Sequence, residues 1–182
     1  LKNFFEKPVQ KPGVEFKYDS MASYVLSAIV QRITGMKVID YLNKKVFSVL
    51  EINDAEWECS PEGITAGGWG LRLSALSMAK FGQLLLDKGR WNGVQVVSEE
   101  WIRLMMSEQQ VTGDGGFYGF HIWKHDGVDG AYRADGAFGQ YIIIAPKEDM
   151  VVSVTQSNRG NGVTERRLID SLIIRKAQNI VL

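Results

Sequence analysis

The first third of the chain carries apolar residues at intervals of three and four positions, the spacing of a single buried helix face. They are Ala22, Val25, Leu26, Ile29, Val30 and Ile33. Asp19 or Ser20 can cap the start of this helix, and Gly35 is the residue type that commonly follows a helix end. The pattern therefore predicts a helix over residues 20–34 with these six side chains inward.

More helices are predicted before residue 112, in three segments with similar start and stop signals. These segments are residues 37–46, with Val38, Tyr41 and Leu42 inward, residues 74–86, and a segment that opens at Ser98 with acidic residues in its first turn. Asn92-Gly93 predicts a tight turn between the last two, and the glycine-rich residues 51–72 predict a loop.

The pattern changes at Phe117, where short aromatic or β-branched runs bounded by turns predict strands. The runs are residues 117–124, 140–145 and 150–155. The last two are joined too tightly for a crossover, so they pair antiparallel. A final helix from Thr164 would turn Leu168, Ile169, Leu172 and Ile173 inward.

Helices followed by strands and a last helix predict an α+β fold, with an antiparallel sheet flanked by helices. A length of 182 residues fits one domain or a large part of one. We divide it into a connector (residues 1–17), a mainly helical portion (18–112) and a sheet hairpin with the C-terminal helix (117–182).

The charge balance narrows the possible partners. The chain has 21 basic and 21 acidic residues, which argues against nucleic-acid binding because that requires a concentrated basic face. No apolar run approaches the length of a membrane span. The single cysteine, Cys59, cannot form an internal disulfide, and its polar turn without a nearby histidine argues against a catalytic thiol. The sequence leaves the compartment open.

The most informative stretch is a glycine-punctuated turn between two strands, within residues 131–146. Gly136 and Gly139 permit unusual backbone dihedrals, which can bring N–H groups close to a ligand. The following strand supplies the rigidity that preorganised electrostatic stabilisation needs. Alone, the stretch is typical of a tight hairpin at a sheet edge; with other segments it indicates the rim of an acyl-transfer site.

Two serine-containing motifs are candidates for that chemistry. The chain contains one Ser-x-x-Lys motif, Ser77 to Lys80, which is expected about once by chance and lies within an amphipathic helix. Tyr18 and Ser20 stand immediately before a helix, where a phenol can project towards a ligand and a hydroxyl can donate to it. The alternative for this pair is a packed tyrosine beside an N-cap.

The histidines and the glycine-rich loop carry weaker signals. His121 and His125 lie in one predicted strand region without the pattern of a metal site, although His121 can line a cleft. The loop Gly67-Gly68-Trp69-Gly70 lacks the lysine and the preceding strand of a phosphate-binding loop. We therefore predict no metal and no phosphate cradle.

Taken together, the chain resembles the C-terminal portion of serine β-lactamase-related proteins, a group that includes D-alanyl-D-alanine carboxypeptidases, family VIII-type esterases and 6-aminohexanoate-dimer hydrolases. The matching segments are FKYDSMASYVLSAIVQRITG, GGWGLRLSALSMAKFGQLLLDKGRWNG, SEEW, and YGFHIW followed by ADGAFGQYIIIAPKEDMVVSV. They keep the family's order over most of residues 14–156, and the likeness is strongest to the esterase and amide-hydrolase branch. The resemblance implies a β-lactamase/transpeptidase-like fold whose N-terminal part lies outside this chain.

The resemblance also implies roles for individual residues. The family's Tyr-x-Asn or Tyr-x-Ser motif corresponds to Tyr18, a general base and then proton donor, and to Ser20, a substrate contact. The Lys/His-x-Gly motif corresponds to Ala134-Asp135-Gly136, which lacks the cationic side chain. The backbone N–H of Ala137 is then the oxyanion donor. Gly136, Phe138, Gln140 and His121 are the remaining substrate contacts.

The function implied is hydrolysis of an ester, amide or β-lactam through an acyl-enzyme, with no metal or cofactor. The nucleophilic Ser-x-x-Lys is expected upstream of this chain, so the chain alone is expected to be inactive, and Ser77 has no catalytic part. A non-catalytic module that recognises peptide or cell-wall ligands is the alternative. The expected partner is a small-molecule or peptide substrate, and an incomplete sheet favours self-association.

Overall fold

Asp19 begins the first helix by capping it. In the computed structural model, which describes residues 13–157 and 163–177, Oδ1 of Asp19 accepts a hydrogen bond from the Met21 N–H at 2.9 Å. This helix, α1 (Ser20–Thr34), ends at Gly35, whose φ of 69° lies in the left-handed region. Both predicted ends of α1 are confirmed.

The faces of α1 differ from the prediction. Four residues predicted to be inward lie on the surface, namely Ala22, Leu26 (50% exposed), Ile29 (46%) and Ile33 (78%). We call these four residues the α1 stripe. The buried residues of the helix are Tyr24 and Ser27. Periodicity identifies an apolar face, but it does not say which face of the helix its neighbours cover.

A short helix and a hairpin complete the first of two compact units, which meet in the sequence between Ser74 and Ala75. Helix α2 (Val38–Leu42) continues directly into a π-helical turn (Asn43–Phe47). Phe47 is buried, whereas the three residues predicted to be inward, Val38, Tyr41 and Leu42, are only half-buried. Strands β1 (Glu56–Trp57) and β2 (Leu71–Arg72) pair antiparallel.

The second unit begins with the elements that the local signals predicted. Helix α3 (Ala75–Leu86) is followed by a hairpin of β3 (Arg90–Trp91) and β4 (Val94–Gln95). Asn92 and Gly93 join these strands with φ values of 46° and 82°, as an Asn-Gly turn requires. The Ser98 Oγ caps α4 (Glu99–Met105) by accepting from the Trp101 N–H at 3.2 Å.

A six-stranded antiparallel sheet forms the centre of this unit, and each strand pairs with the next one in the chain. The strands are β5 (Gln110–Val111), β6 (Phe117–Tyr118), β7 (Trp123–Lys124), β8 (Tyr132–Gly136), β9 (Gln140–Ala145) and β10 (Met150–Val154). A 3₁₀ turn (Pro146–Glu148) joins the last two. The prediction of one strand over residues 117–124 is wrong, because these residues form β6, β7 and a tight turn between them.

Apolar cores lie on both faces of the sheet. Ile142 and Ile144 of β9 pack with Leu85 of α3 on one face. Ile143 and Ala145 pack with Ile173 of helix α5 (Val163–Ala177) on the other. Strand β9 is therefore buried on both sides, which explains its continuous apolar run.

Helix α5 buries only part of the face that was predicted. Ile173 is buried and Ile169 packs against the core, but Leu168 is 64% exposed and Leu172 is 43% exposed. Antiparallel strands with helices on both faces confirm the α+β class, while the domain boundaries at residues 18–112 and 117–182 stay a prediction. Among the described residues, no helix combines the length and the apolar character needed to cross a membrane.

Candidate functional site

Tyr18 and Ser20 stand at the start of α1, in the first unit. Tyr18 is 56% exposed, and Ser20, the first helical residue, is half-buried. The Asp19 cap between them holds the backbone in an extended conformation, with φ −143° and ψ 109°. A side chain on a capped helix start has a defined direction, which a group that transfers protons needs.

The glycine-rich loop packs directly against this helix start. A Cβ built at Gly68 would lie 3.0 Å from the Ser20 Cβ and would overlap the Ser20 carbonyl oxygen. At Gly67, whose φ is 74°, a Cβ would lie 2.7 Å from the Ser23 carbonyl oxygen. The two glycines therefore permit a backbone approach that no other residue permits. Their close approach holds α1 against the loop.

Trp69, the next residue of that loop, was not predicted as a site residue. Its indole is 45% exposed and stacks on Tyr24, with the ring centroids 6.0 Å apart. Its carbonyl oxygen accepts a hydrogen bond from the Trp57 Nε1–H at 2.7 Å. This exposed indole follows directly after the glycine that contacts Ser20, and it offers an apolar surface to a ligand. The only signal for it in the sequence was a tryptophan flanked by glycines.

The buried side of α1 is fastened to the loop by hydrogen bonds. The Tyr24 hydroxyl donates to the Ser60 Oγ at 2.9 Å, and the Ser27 hydroxyl donates to the Thr65 carbonyl at 2.7 Å. Ser27 and Thr65 are both buried, so the bond between them is shielded from water. The rotation of α1 about its own axis is thereby set.

The hairpin turn of the second unit lies between β8 and β9. Gly136 pairs with Gln140, which leaves residues 137–139 as the turn. Phe138 and Gly139 take positive φ values of 66° and 86°. The prediction of unusual dihedrals holds for Gly139 and is wrong for Gly136, which lies in the β8 ladder; Phe138 adopts the left-handed conformation instead. Ala137 is exposed and lies outside both strands.

Gln156, which follows β10, packs against this turn. A Cβ at Gly139 would overlap the Gln156 side-chain amide, at 2.6 Å from its Cδ. The Gln140 Nε2 donates to the Gln156 carbonyl oxygen. Within the described residues, the Gln156 Nε2 is buried and has no hydrogen-bond partner. Gln156 carries no sequence signal, because only folding brings it next to the turn.

His121 is placed by its turn and by the sheet topology. It is exposed and has a φ of 61° between β6 and β7, so the prediction of a strand-face histidine is wrong. In an antiparallel meander every second connection lies at the same end of the sheet. His121 therefore lies at the same sheet end as residues 136–140 and Gln156, in the connection of the neighbouring β6–β7 pair.

The middle residue of the Ala134-Asp135-Gly136 motif carries a carboxylate that is held by arginines. The Arg133 Nε donates to the Asp135 Oδ2 at 3.0 Å, and Arg166 of α5 lies 3.7 Å from the same oxygen. Arg133 is 8% exposed, and its Nη1 donates to the Lys124 carbonyl at 2.9 Å. The strand beside the turn thus presents a fixed, charge-paired network.

The remaining candidates are placed as follows. Ser77 is buried within α3 at 6% exposure. Cys59 is exposed. Across residues 13–157 and 163–177, no group of three metal-ligating side chains comes together. Tyr18 and Ser20 belong to the first unit, whereas Gly136, Ala137, Phe138, Gln140 and His121 belong to the second.

Comparison with known proteins identifies the fold. A family model described as Beta-lactamase matches residues 5–176. A β-lactamase structure from Mycobacterium bovis superposes with a TM-score of 0.77 at 18% identity, over 92% of this chain and 66% of that one, which shows a shared fold. The β-lactamase/transpeptidase-like fold and the family resemblance are confirmed.

Two further relatives share one name. The 6-aminohexanoate-dimer hydrolase of Paenarthrobacter ureafaciens is 28% identical over 149 residues, which cover 76% of this chain and 38% of the relative. A Bacillus anthracis structure assigned by name to the same activity superposes with a TM-score of 0.85 at 25% identity, over 97% of this chain and 48% of that one. The chain therefore spans less than half the length of these two relatives.

Proposed function

The chain belongs to the Beta-lactamase family, and from that relationship we propose that it supplies the proton-transfer and oxyanion groups of a serine hydrolase that works through an acyl-enzyme. Its substrate would be an ester, an amide or a β-lactam. The observation that carries this proposal is the position of Tyr18. The phenol is exposed two residues before Ser20, at a helix start that a cap and two glycines hold in place.

Tyr18 is proposed as the general base and then the general acid. Its phenolate oxygen takes the proton of the attacking serine hydroxyl and returns it to the leaving group, so the protons balance over one acylation step. Ser20, on the first turn of α1, would donate a hydrogen bond to the substrate. Positioned proton transfer contributes about 10²- to 10⁴-fold to a rate, which sets the effect expected on removal of the phenol.

The turn between β8 and β9 is proposed to carry the oxyanion donor. The Ala137 N–H lies in an exposed turn whose backbone is held by the Gly136 to Gln140 pairing and by Gln156. A donor that is already in place when charge develops on the carbonyl oxygen stabilises the transition state without reorganisation. Phe138, Gln140, Gly136 and His121 would contact the rest of the substrate.

The nucleophile is proposed to lie in residues that this chain does not include. The chain spans 38% of the Paenarthrobacter ureafaciens hydrolase and 48% of the Bacillus anthracis protein, which leaves room for a Ser-x-x-Lys segment elsewhere in a longer product. Ser77 is buried and is not proposed for the role. The 182-residue chain alone is therefore expected to be inactive.

An amide or ester is the favoured substrate within that class. Two relatives carry the name of a 6-aminohexanoate-dimer hydrolase. The Ala134-Asp135-Gly136 stretch offers no lysine or histidine, and the Asp135 carboxylate is already paired with arginines. This strand therefore offers no cationic side chain at the motif position for the carboxylate of a β-lactam.

The test uses nitrocefin, p-nitrophenyl acetate and the 6-aminohexanoate dimer as substrates. We expect no turnover by the 182-residue chain. In the product made from the natural start codon, Tyr18→Phe should lower kcat by about 100-fold or more, because proton transfer is lost. Tyr41→Phe, in half-buried α2, is the matched control. Turnover by the 182-residue chain that Ser77→Ala abolishes would overturn the proposal.

A non-catalytic binding module is the second candidate, and the same motif favours it. Without a lysine or histidine at Ala134-Asp135-Gly136, the fold can hold a peptide or cell-wall ligand without reacting with it. The protein made from the natural start codon distinguishes the hydrolase from the binding module. A Ser-x-x-Lys that opens a helix supports the hydrolase, whereas its absence, together with binding of D-alanyl-D-alanine without turnover, supports the module.

Self-association of the isolated chain is proposed through an edge of its sheet. The edge strands among the described residues are β5 and β10, and β10 is five residues long, so alternate residues along it direct their backbone N–H and C=O groups away from β9. Light scattering over a range of concentrations tests this proposal, with Val152→Pro in β10 as the variant that would prevent strand pairing. A concentration-independent monomer would contradict it.

A further inference from the structure

Helix α1 exposes its apolar face and buries its polar face, which is the reverse of an ordinary surface helix. The α1 stripe of Ala22, Leu26, Ile29 and Ile33 follows helical spacing and occupies an arc of roughly 60°. Its side chains are exposed, up to 78% at Ile33, whereas the side chains on the opposite face, Tyr24 and Ser27, are buried. An exposed apolar face paired with a buried polar one is the informative departure from the usual pattern.

The stripe cannot turn inward, because the buried face is fastened. Tyr24 bonds to Ser60, Ser27 bonds to the Thr65 carbonyl, and the backbone of Gly67 lies against the Ser23 carbonyl. A rotation of α1 that buried the stripe would break two hydrogen bonds and leave buried polar groups unpaired. The outward direction of the stripe is therefore a property of the folded unit.

The composition of α1 is that of a permanently covered helix. Among its 15 residues the only charged side chain is Arg32, in the last turn. A face that stays in water usually carries charges, whereas permanent interfaces resemble a domain core and are depleted in charged residues. The stripe thus fits a lasting apolar contact better than a transient one.

We infer that the α1 stripe is the docking face for the part of the family fold that this chain does not span. The chain superposes over 97% of its length on the Bacillus anthracis structure, yet it covers only 48% of that chain. A segment of comparable size in the same polypeptide is an occupant large enough to cover four apolar side chains. A second copy of this chain is the competing occupant, and cysteine labelling separates the two.

The experiment measures cysteine accessibility in two forms of the protein, the 182-residue chain and the product made from the natural start codon. In a Cys59→Ser background, a single cysteine is placed in the stripe by Ile33→Cys. The matched control is Leu76→Cys on α3, a helical position that is 68% exposed. A maleimide reagent supplies the labelling rate, mass spectrometry of the peptide reads it, and circular dichroism confirms folding of each variant.

We expect the labelling rate at position 33 to be at least about tenfold lower in the protein made from the natural start codon than in the 182-residue chain. In the longer protein the cysteine would react only after local opening. Labelling at position 76 should agree within about twofold between the two forms. Three outcomes overturn the inference. They are equal labelling rates at position 33 in the two forms, an equal slowing at positions 33 and 76, and a protein from the natural start codon that is no longer than 182 residues. Slow labelling at position 33 in the 182-residue chain that speeds up on dilution overturns it in favour of a second copy. None of these labelling rates depends on catalysis. The inference and the proposed function can therefore fail independently of each other.

Discussion

The backbone of Gly139 lies against the side-chain amide of Gln156. A Cβ at Gly139 would stand 2.6 Å from the Gln156 Cδ and 2.8 Å from its Cγ, and Gly139 also has a φ of 86°. Two separate features thus require glycine at the end of the turn that follows Ala137. One is a backbone conformation that side chains disfavour, and the other is a lack of space.

Gly139→Ala tests how these two features combine. The positive φ alone costs an L-residue about 1–2 kcal/mol, and an overpacked contact costs about 1–3 kcal/mol more. Gly93→Ala is the matched control, because Gly93 has a φ of 82° and a Cβ added there would meet no atom within 4 Å. We expect urea unfolding to show a loss of about 1 kcal/mol for Gly93→Ala and clearly more for Gly139→Ala. Equal losses would mean that Gln156 moves aside freely.

Gly68→Ala tests the contact that holds the start of α1. Gly68 does not have a positive φ, so the effect of an added Cβ comes from its contacts with Ser20. The added Cβ would overlap the Ser20 carbonyl oxygen and lie 3.0 Å from the Ser20 Cβ. Main-chain atoms cannot move aside as a flexible side chain can, and we expect a loss of about 1–3 kcal/mol in the free energy of unfolding. Gly113→Ala meets no atom within 4 Å and should be neutral or stabilising by up to about 1 kcal/mol. A Gly68→Ala protein as stable as wild type would contradict the contact.

Helix caps and hairpin turns could be predicted from the sequence because a few adjacent residues decide them. Asp19 caps α1, Ser98 caps α4, and Asn92-Gly93 closes a hairpin, as their side chains and backbone preferences require. The ends of strand β9 could be predicted as well, since its continuous apolar run lies between a glycine turn and a proline.

The direction of the helix faces could not be predicted, because it depends on partners that are distant in the sequence. The α1 stripe and Leu168 of α5 have a core-like spacing, yet they are exposed. A hydrophobic pattern records which residues are apolar, whereas burial depends on what packs against them. The same limit explains why the strand prediction at His121 is wrong, since its left-handed φ follows from the register of β6 and β7.

The candidate site was predictable as a turn and as a helix start, but its supports were not. Glycines signalled the turn at residues 136–140, and the position just before a helix signalled Tyr18. Gln156 and Trp69 support or flank them through contacts that form only on folding. A supporting residue of this kind has no spacing that a motif search could use.

Asp114→Asn tests an acid-sensitive turn between β5 and β6. The Thr112 hydroxyl and the Gly116 N–H (3.3 Å) donate to the Asp114 carboxylate and hold its pKa below the ordinary value of 3.8. A lowered carboxylate pKa adds stability that is present above the ordinary pKa and is lost as pH falls through the lower folded-state pKa. The difference in unfolding free energy between wild type and Asp114→Asn should therefore be full near neutral pH and shrink below 3.8.

Thr112→Val provides the control for that pH effect. Thr112 is 6% exposed, so valine keeps the buried volume and removes the hydroxyl donor. In this background Asp114→Asn should change the acid dependence much less, because the principal hydrogen bond that lowers the pKa is gone. Urea unfolding across the acid range measures both differences. An unchanged pH effect in the Thr112→Val protein would assign it to a group other than this turn.

The buried pair of His125 and Asp170 joins the segment after β7 to helix α5. The His125 Nε2 and the Asp170 Oδ1 are hydrogen-bonded at 2.6 Å, and the two side chains are 0% and 12% exposed. Removing one partner leaves a buried polar group of the other without its hydrogen bond and costs about 1–3 kcal/mol, so Asp170→Leu should destabilise by that amount in urea. Replacing both partners with apolar residues is far less costly, so His125→Leu with Asp170→Leu should recover a substantial part of the loss. Asp129→Leu, which removes an 87%-exposed partner of Lys147, should leave the unfolding midpoint unchanged. A double variant whose loss equals the sum of the two single losses would show that the pair is not coupled.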